Sequence, residues 1–418
     1  MLDELRKKFS RSNKMPETNK SPQLNLKLVD TADLPENLIS NLSISPCGDF
    51  VYIAYQYPGP SPGLAAAELF RNDDGKLNSI HTLPIPSEFP VTLAAGAASN
   101  DFTRFVVLLQ EAGDGIGRGI VIVHDIDFNI INSRIIDGVN LTTQSFLLQQ
   151  PFTPGNTFIA ISLLDALSPV PNAGRLLILE TETLETVTEE RFEGVTNGPF
   201  VFILENKCGC VRYFVYVASA GLTEEFEFVA PAQASVWEFF PETRNLVLRD
   251  QVPLPQFSSV TDIVTIKGGS LALIAAPTRR ADGFGEVPVF KIPSPPLSTL
   301  DGKELRLYTF DGSNLRLVIA QDIGSTVFPA SLYPTGKYIV YGTPNPISTV
   351  LAPAFKIDLF NERLICAGDK IHNLPVTALA AKFSDNGKWF AASGGSNGPL
   401  ESIQLYRVFF GHDNRCDA

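Results

Sequence analysis

The sequence predicts an all-β fold made of seven copies of one four-stranded antiparallel module. Three observations lead to this prediction: a tight-turn signature between two apolar runs returns along the chain, an alternating strand follows each copy, and long segments rich in Gly, Pro and Ser separate the strands. Repetition of an all-strand unit of this length is typical of β-propeller blades. We therefore expect a seven-bladed β-propeller.

The unit is clearest near the end of the chain. Residues 376–383 are an apolar run that predicts a buried strand A. The next four residues, SDNG, predict a hairpin turn, because Asp, Asn and Gly tolerate left-handed backbone geometry. Residues 389–393 predict strand B, a loop follows, and residues 401–408 alternate in the manner of a strand C with one solvated face.

The A–turn–B signature recurs at 44–54 (ISPCGDFVYIA) and at 332–341 (LYPTGKYIVY). Weaker copies surround Gly155, Gly209 and Gly268, and residues 98–107 fit without the glycine. The turn glycines lie roughly 50–70 residues apart, with one gap of about twice that length that holds the glycine-free copy. The seven blades are accordingly predicted at 36–84, 90–137, 140–192, 198–254, 258–320, 326–368 and 374–408.

A fourth strand, D, follows strand C in every unit but the last, for example at 76–83, 129–135, 246–252 and 314–319. The residues after Val408 are poor strand material, whereas Leu24, Leu26 and Leu28 alternate near the start of the chain. Our hypothesis is that residues 24–29 supply the missing outer strand of the last blade, because a ring must leave no gap between its first and last blades.

The two ends of the chain are predicted to lie outside the propeller domain, which spans 23–408. Residues 1–22 are locally basic, and Leu2, Leu5 and Phe9 fall on one face of a short helix. This segment is either a disordered tail or a helix that binds a membrane surface or a partner. Residues 409–418 are predicted to be a C-terminal tail.

The charge, the apolar runs and the cysteine spacing exclude several classes of function. The 418-residue chain has a net charge of −12, with a pI near 4.9, which argues against general nucleic-acid binding. We see no signal peptide and no apolar run long enough for a transmembrane segment, so we expect an intracellular, cytoplasmic protein, monomeric by default. Five cysteines form no zinc-type spacing; Cys208 and Cys210 flank a turn glycine, either as small apolar residues or as a redox pair.

The phrases SPCGDFVYIA, YPTGKYIVYG and FSDNGKWFAA resemble the turn signature of the YVTN/lactonase-like seven-bladed propellers, within the broader WD40-like group. The resemblance covers most of residues 36–408. The Gly-His and Trp-Asp dipeptides of WD40 repeats themselves are missing. The resemblance implies a blade architecture and, at most, a sugar-lactone hydrolase or cycloisomerase with acid/base groups at one end of the channel.

The two ends of the predicted ring differ in loop length. The A–B turns are short, whereas the B–C loops at the other end are long, at 57–63, 111–119, 164–174, 221–233, 277–302 and 343–353. Long loops on a rigid scaffold are the usual place for binding. We expect the longest, 277–302, to cover or flank the channel mouth, unless it is an insertion without a role.

The candidate site residues are those predicted to lie on or beside this loop-rich face. A poised base and an oxyanion-stabilising cation would be needed for hydrolysis. The candidates for either chemistry or partner contact are His372, Asp262, Glu111, Arg279 and Arg280, together with the crossover threonines Thr92, Thr261 and Thr377. The threonines either ring the channel entrance or are simply good strand formers. None aligns with a catalytic motif.

Two functions remain open at this point. The first is a non-enzymatic scaffold that binds a protein or peptide partner on the loop-rich face. The second is a lactonase-like, metal-independent enzyme with a pocket at the channel mouth. Four scattered histidines and the absence of nucleotide-binding motifs predict no metal site and no cofactor.

Overall fold

The computed structural model describes residues 23–35, 38–56, 65–85, 91–111, 117–140, 150–165, 167–168, 173–192, 195–196, 199–205, 209–220, 233–254, 259–276, 304–322, 330–341, 354–366, 377–395 and 400–411. Within these ranges the regular secondary structure is β-strand, in seven separate sheets. No helix in them is long and apolar enough to cross a membrane.

The strands follow one another in blade order around the ring. Strand β1 (Gln23–Pro35) comes first in the chain. Blade 1 contains β2 (Leu38–Ile44), β3 (Phe50–Gln56), β4 (Ala65–Asp73) and β5 (Lys76–Ile85); blade 2 contains β6 (Val91–Ala98), β7 (Arg104–Glu111), β8 (Arg118–Asp125) and β9 (Ile130–Asp137). Blade 3 contains β10 (Val139–Asn140), β11 (Phe158–Asp165), β12 (Gly174–Glu180) and β13 (Thr186–Phe192).

The remaining blades repeat the pattern. Blade 4 contains β14 (Val195–Thr196), β15 (Phe200–Glu205), β16 (Val211–Ala220), β17 (Gln233–Phe240) and β18 (Asn245–Pro253), of which β14 and β15 are two pieces of one inner strand on β16. Blade 5 contains β19 (Ser259–Ile266), β20 (Gly269–Ala276), β21 (Glu304–Phe310) and β22 (Leu315–Asp322). Blade 6 contains β23 (Ala330–Leu332), β24 (Tyr338–Tyr341), β25 (Ala354–Asp358) and β26 (Arg363–Cys366), and blade 7 contains β27 (Thr377–Phe383), β28 (Trp389–Gly395) and β29 (Leu400–Gly411).

The seventh sheet has the order β1–β29–β28–β27, so the first strand of the chain is the outer strand of the last blade. The pairing runs from Gln23 opposite Gly411 to Pro35 opposite Leu400. The predicted closure by residues 24–29 is therefore confirmed. Strand β29 continues three residues past the predicted end at Val408, because the start of β1 supplies backbone partners for Phe409, Phe410 and Gly411.

The outer strands share a bulge that identifies β1 as a true member of the set. In six blades one residue of strand D is skipped in the pairing with strand C, namely Val29, Ile80, Ile131, Val187, Arg249 and Val318. An extra residue bends the strand and increases its local twist. Because β1 carries the same bulge as the D strands that follow their own C strands, it performs the same geometric task from the opposite end of the chain.

The hydrophobic core is divided into seven clusters, each between two neighbouring blades. Strand β1 contributes to two of them: Leu24 packs with Phe390 and Tyr406 toward blade 6, and Leu34 packs with Ile403 toward blade 1. Each blade therefore shares its apolar faces with two partners, and the innermost strands are left to line the channel along the axis.

Candidate functional site

The structure describes only part of the predicted loop-rich face. His372, Arg279 and Arg280 lie outside the described residues, as do all or most of the residues in five of the six long B–C loops. Glu111 is the last residue of β7, and Thr377 is the first of β27. The predictions made for these residues stay predictions.

The two other candidate threonines occupy equivalent backbone positions. Thr92 is the residue skipped between Val91 and Leu93 in the pairing of β6 with β7, and Thr261 is skipped between Val260 and Asp262 in β19. Ser40 and Leu379 are skipped in the same way in the inner strands of blades 1 and 7. In blades 2 and 5 the threonine thus marks an inner-strand bulge, where an extra residue bends the strand, whereas Thr377 is paired with Gly395 and lies two residues before the bulge of its strand.

Asp262 is the candidate whose side chain the structure resolves, and it is fully buried. Its Oδ2 accepts hydrogen bonds from the backbone N–H of Leu332 at 2.8 Å and the hydroxyl of Ser331 at 3.0 Å, both in blade 6. Its Oδ1 lies 2.5 Å from the Nζ of Lys382 in blade 7. One carboxylate in blade 5 therefore joins three consecutive blades at the channel wall.

The ammonium group of Lys382 borders a cavity of about 430 Å³ on the channel axis. The described residues that line it come from the inner strands and A–B turns of blades 2 to 7: Asn100, Gln150, Pro154, Val201, Phe202, Ile203, Ile263, Val264, Thr265, Leu332, Pro334, Lys382, Phe383 and Asp385. Most of these are apolar. Because Asn100, Pro154, Pro334 and Asp385 belong to A–B turns, the cavity occupies the end of the channel opposite the loop-rich face.

Asp385 is the second charged residue of the cavity. Although the residue is exposed at the turn, desolvation by the surrounding protein raises the pKa of its carboxyl; Lys382 lowers this pKa and Asp262 raises it. Asp385 forms no ion pair with another described residue, since the Nζ of Lys382 is held by Asp262. Among the described residues, the cavity is therefore bordered by one lysine that is paired and one carboxylate that is not.

Sequence reasoning missed Lys382 and Asp385, although a signal for Lys382 was present. It is the one charged residue of strand A in the last unit, TALAAKF. A lysine in a buried apolar run requires a partner. Its partner Asp262 is 120 residues away along the chain, so the sequence alone could not pair them.

The described residues offer no metal-binding group. In those ranges no three His, Cys, Asp or Glu side chains come together in an arrangement that could hold an ion. Of the histidines, His124 is buried between blades 1 and 2, with its ring stacked on Phe105 and its Nε2 3.0 Å from the Tyr52 hydroxyl oxygen. His81 lies on β5, the outer strand of blade 1.

Comparisons with known proteins bear on the fold. No protein-family model matches the chain, and no curated protein matches it by sequence. Among solved structures, a chain from the crystal structure of the mitotic checkpoint complex matches with a TM-score of 0.56 at 12% identity, over 95% of this chain and 97% of that one. The match and the seven sheets described above together show a seven-bladed β-propeller fold. At that identity the match establishes the architecture of the propeller and leaves its chemistry open.

Proposed function

We propose that this propeller is a non-enzymatic scaffold that binds a protein or peptide partner on its loop-rich face. The observation that carries the proposal is the closed ring, in which β1 pairs along the whole of β29 and leaves no open seam. A ring sealed in this way is a rigid support for the B–C loops at one end of the channel. From the turn signature of its blades, we also propose that the protein is related to the YVTN/lactonase-like propellers.

Two further observations support a platform. The similar solved chain belongs to a structure of a protein complex. The described surface also presents large apolar side chains at the C–D turn of blade 6, where Phe360 is 93% exposed and Leu359 39% exposed. This turn lies at the short-turn end of the ring, so it supports partner binding by the propeller in general and does not select the loop-rich face. An aromatic side chain held out at a turn is the kind of group that anchors protein interfaces.

The experiment pairs affinity capture from the native host with a direct binding measurement on the purified partner. The expected result is a partner that binds in the micromolar range or tighter, with affinity at least about tenfold lower for the loop variant Arg279→Ala, Arg280→Ala. The matched control is Arg316→Ala, because Arg316 lies on outer strand β22 and pairs with exposed Glu362.

A panel of lactones and esters tests the alternative, a lactonase-like hydrolase or cycloisomerase. If a substrate is turned over, and turnover is lost in His372→Ala or Arg280→Ala but retained in Arg316→Ala, the protein is an enzyme and the scaffold proposal is wrong. Unchanged partner affinity in the loop variant would move the binding site away from the loop-rich face.

A further inference from the structure

The short-turn end of the channel has the features of a binding pocket in its own right. Its cavity of about 430 Å³ falls in the range of pockets that accept small ligands or side chains. The walls include two aromatic residues, Phe202 and Phe383, and two prolines, Pro154 and Pro334. An apolar wall with a few polar groups at defined places is the usual composition of such pockets.

The charges of the pocket select the sign of its ligand. Lys382 is neutralised by Asp262 at 2.5 Å, and Asp262 is closed to solvent. Asp385 is left as a partly desolvated carboxylate without an ion-pair partner among the described residues, and the raised pKa of its carboxyl reflects that environment. Binding of a cation beside Asp385 would restore a favourable interaction to this group.

We propose that the short-turn end of the channel binds an arginine side chain of a partner protein, with its guanidinium on Asp385 and its aliphatic stem along the apolar wall. A guanidinium pairs with a carboxylate through two parallel hydrogen bonds, and the methylene groups of its stem can pack on the half-buried rings of Pro154 and Pro334 in the wall. The net charge of −12 also attracts a basic partner. The pocket lies at the opposite end of the channel from the loop-rich face, so this proposal stands independently of the proposed function.

Other ligand classes fit the pocket less well. An anion would face Asp385 and find Lys382 already engaged. A wholly apolar group would cover the Asp385 carboxylate without giving it a partner, which costs free energy. The described lining residues include no set of carboxylates and histidines that could hold a metal ion.

The test uses blocked pentapeptides of sequence Gly-Ala-Xaa-Ala-Gly, in which Xaa is arginine, citrulline or glutamate. Binding to the full-length protein is measured by ligand-observed NMR titration. Citrulline has nearly the shape of arginine without its charge. We expect the arginine peptide to bind at least about tenfold more tightly than the citrulline peptide.

Variants locate the site. Asp385→Asn should abolish the preference for arginine over citrulline, because it removes the carboxylate charge and keeps the turn. The control Asp127→Asn makes the same change of net charge at an exposed C–D turn of blade 2, outside the cavity, and should leave the preference unchanged.

Three outcomes would overturn the proposal. The first is equal affinity for the arginine and citrulline peptides. The second is an unchanged preference in Asp385→Asn, or an equal loss in Asp127→Asn. The third is displacement of the arginine peptide by a synthetic peptide of residues 1–22 at about a tenfold lower concentration, which would assign the pocket to the chain's own basic segment.

Discussion

Asp262 and Lys382 illustrate how a single side chain ties neighbouring blades together. The carboxylate of Asp262 receives donors from blades 6 and 7 as well as from its own strand, where the N–H of Ile263 lies 2.9 Å from Oδ1. Each of these donors therefore has an acceptor in the buried Asp262 carboxylate. Removing the carboxylate would leave an ammonium group and a backbone N–H without partners.

We expect Asp262→Ala to lower the free energy of unfolding by about 3 kcal/mol, because breaking one side of a buried ion pair leaves the other charge uncompensated. Asp127→Ala, at an exposed turn of blade 2, is the matched control and should change it by less than about 0.5 kcal/mol, as an exposed substitution does. Urea unfolding measures both. If Asp262→Ala costs no more than Asp127→Ala, the ion pair does not stabilise the ring.

His124 is a buried histidine whose hydrogen bonds fix its tautomer. Its Nδ1 lies 2.8 Å from the carbonyl oxygen of Asp125, which can only accept, so Nδ1 carries the proton and Nε2 accepts from the hydroxyl of Tyr52. Burial lowers the pKa of His124 from 6.5 to about 4, while the Asp125 carbonyl and carboxylate raise it. Protonation of Nε2 would break the bond to Tyr52.

Because the pKa of His124 is lower in the folded state than in the unfolded state, the neutral ring stabilises the fold fully above pH 6.5, and that contribution is lost as the pH falls toward 4. The expected loss is about 3 kcal/mol. Urea unfolding at pH 7.5 and pH 4.5 should show a smaller decrease in stability for His124→Phe than for the unsubstituted chain. His81→Phe, at an exposed position of β5, should keep the full decrease in stability between the two pH values. An equal decrease in both variants and in the unsubstituted chain would contradict this account.

At the scale of elements, β1 shows how a strand from one end of the chain becomes part of the last sheet. Its Leu24 is 1% exposed, and the N–H of Leu77 in blade 1 donates to Oδ2 of Asp30 in β1 at 2.7 Å. The same tie between outer strands recurs where the N–H of Leu315 donates to Asp250 at 2.6 Å. Strand β1 therefore holds blade 7 to blade 1 in the same way as β18 holds blade 4 to blade 5.

Leu24→Ala should destabilise the protein by about 3 kcal/mol, since it removes buried methyl groups and leaves a cavity between blades 6 and 7. Lys27→Ala is exposed on the same strand and should change the stability by less than about 0.5 kcal/mol. The midpoint of thermal unfolding reports the difference. Equal midpoints for the two variants would mean that β1 does not close the ring.

Asp30→Ala tests the tie between the outer strands separately. Loss of the carboxylate leaves the Leu77 N–H without its side-chain acceptor, and we expect a cost of about 1–2 kcal/mol. Asp33→Ala is the control on the same strand, because Asp33 is exposed. The free energy of unfolding of both variants is measured by urea titration. Equal values would mean that water replaces Asp30 as the partner of the Leu77 N–H without loss of stability.

At the scale of the whole molecule, the seven clusters of the core make every blade depend on both of its neighbours. An open solenoid has free ends from which it can unravel. A closed ring has none, so disruption of one interface should spread around the molecule. The two tryptophans report on opposite parts of the ring, Trp237 in blade 4 and Trp389 in blade 7.

We expect the single-tryptophan variants Trp389→Phe and Trp237→Phe each to show one unfolding transition by fluorescence that coincides with the transition by circular dichroism. Adding Leu24→Ala should shift the midpoint by a similar amount in both backgrounds, although Trp237 lies far from β1 along the chain. A blade-7 transition that precedes the blade-4 transition in denaturant would show that the blades unfold separately.

The blade count, the turns and the closing strand could all be predicted from the amino acids, because each depends on a local pattern. Alternating leucines predict strand β1. The last residue of the SDNG turn is Gly387, and its φ of +66° lies in the left-handed region that favours glycine. These signals reside within a few consecutive residues, where side-chain period and backbone sterics act directly. The structure confirms these predictions. It also adds the bulge of the outer strands, which the sequence pattern did not predict.

Which charged residues meet at the channel could be learned only from the packing of the folded blades. Asp262, Lys382 and Asp385 come from blades 5 and 7, and an added Cβ at Gly387 would lie 2.2 Å from the Tyr333 hydroxyl oxygen of blade 6. Such contacts depend on the packing of separate sheets around an axis, and sequence separation says nothing about them. The physical reason is that residues of different blades meet only when all seven blades have packed into a closed ring, and that arrangement depends on the whole chain.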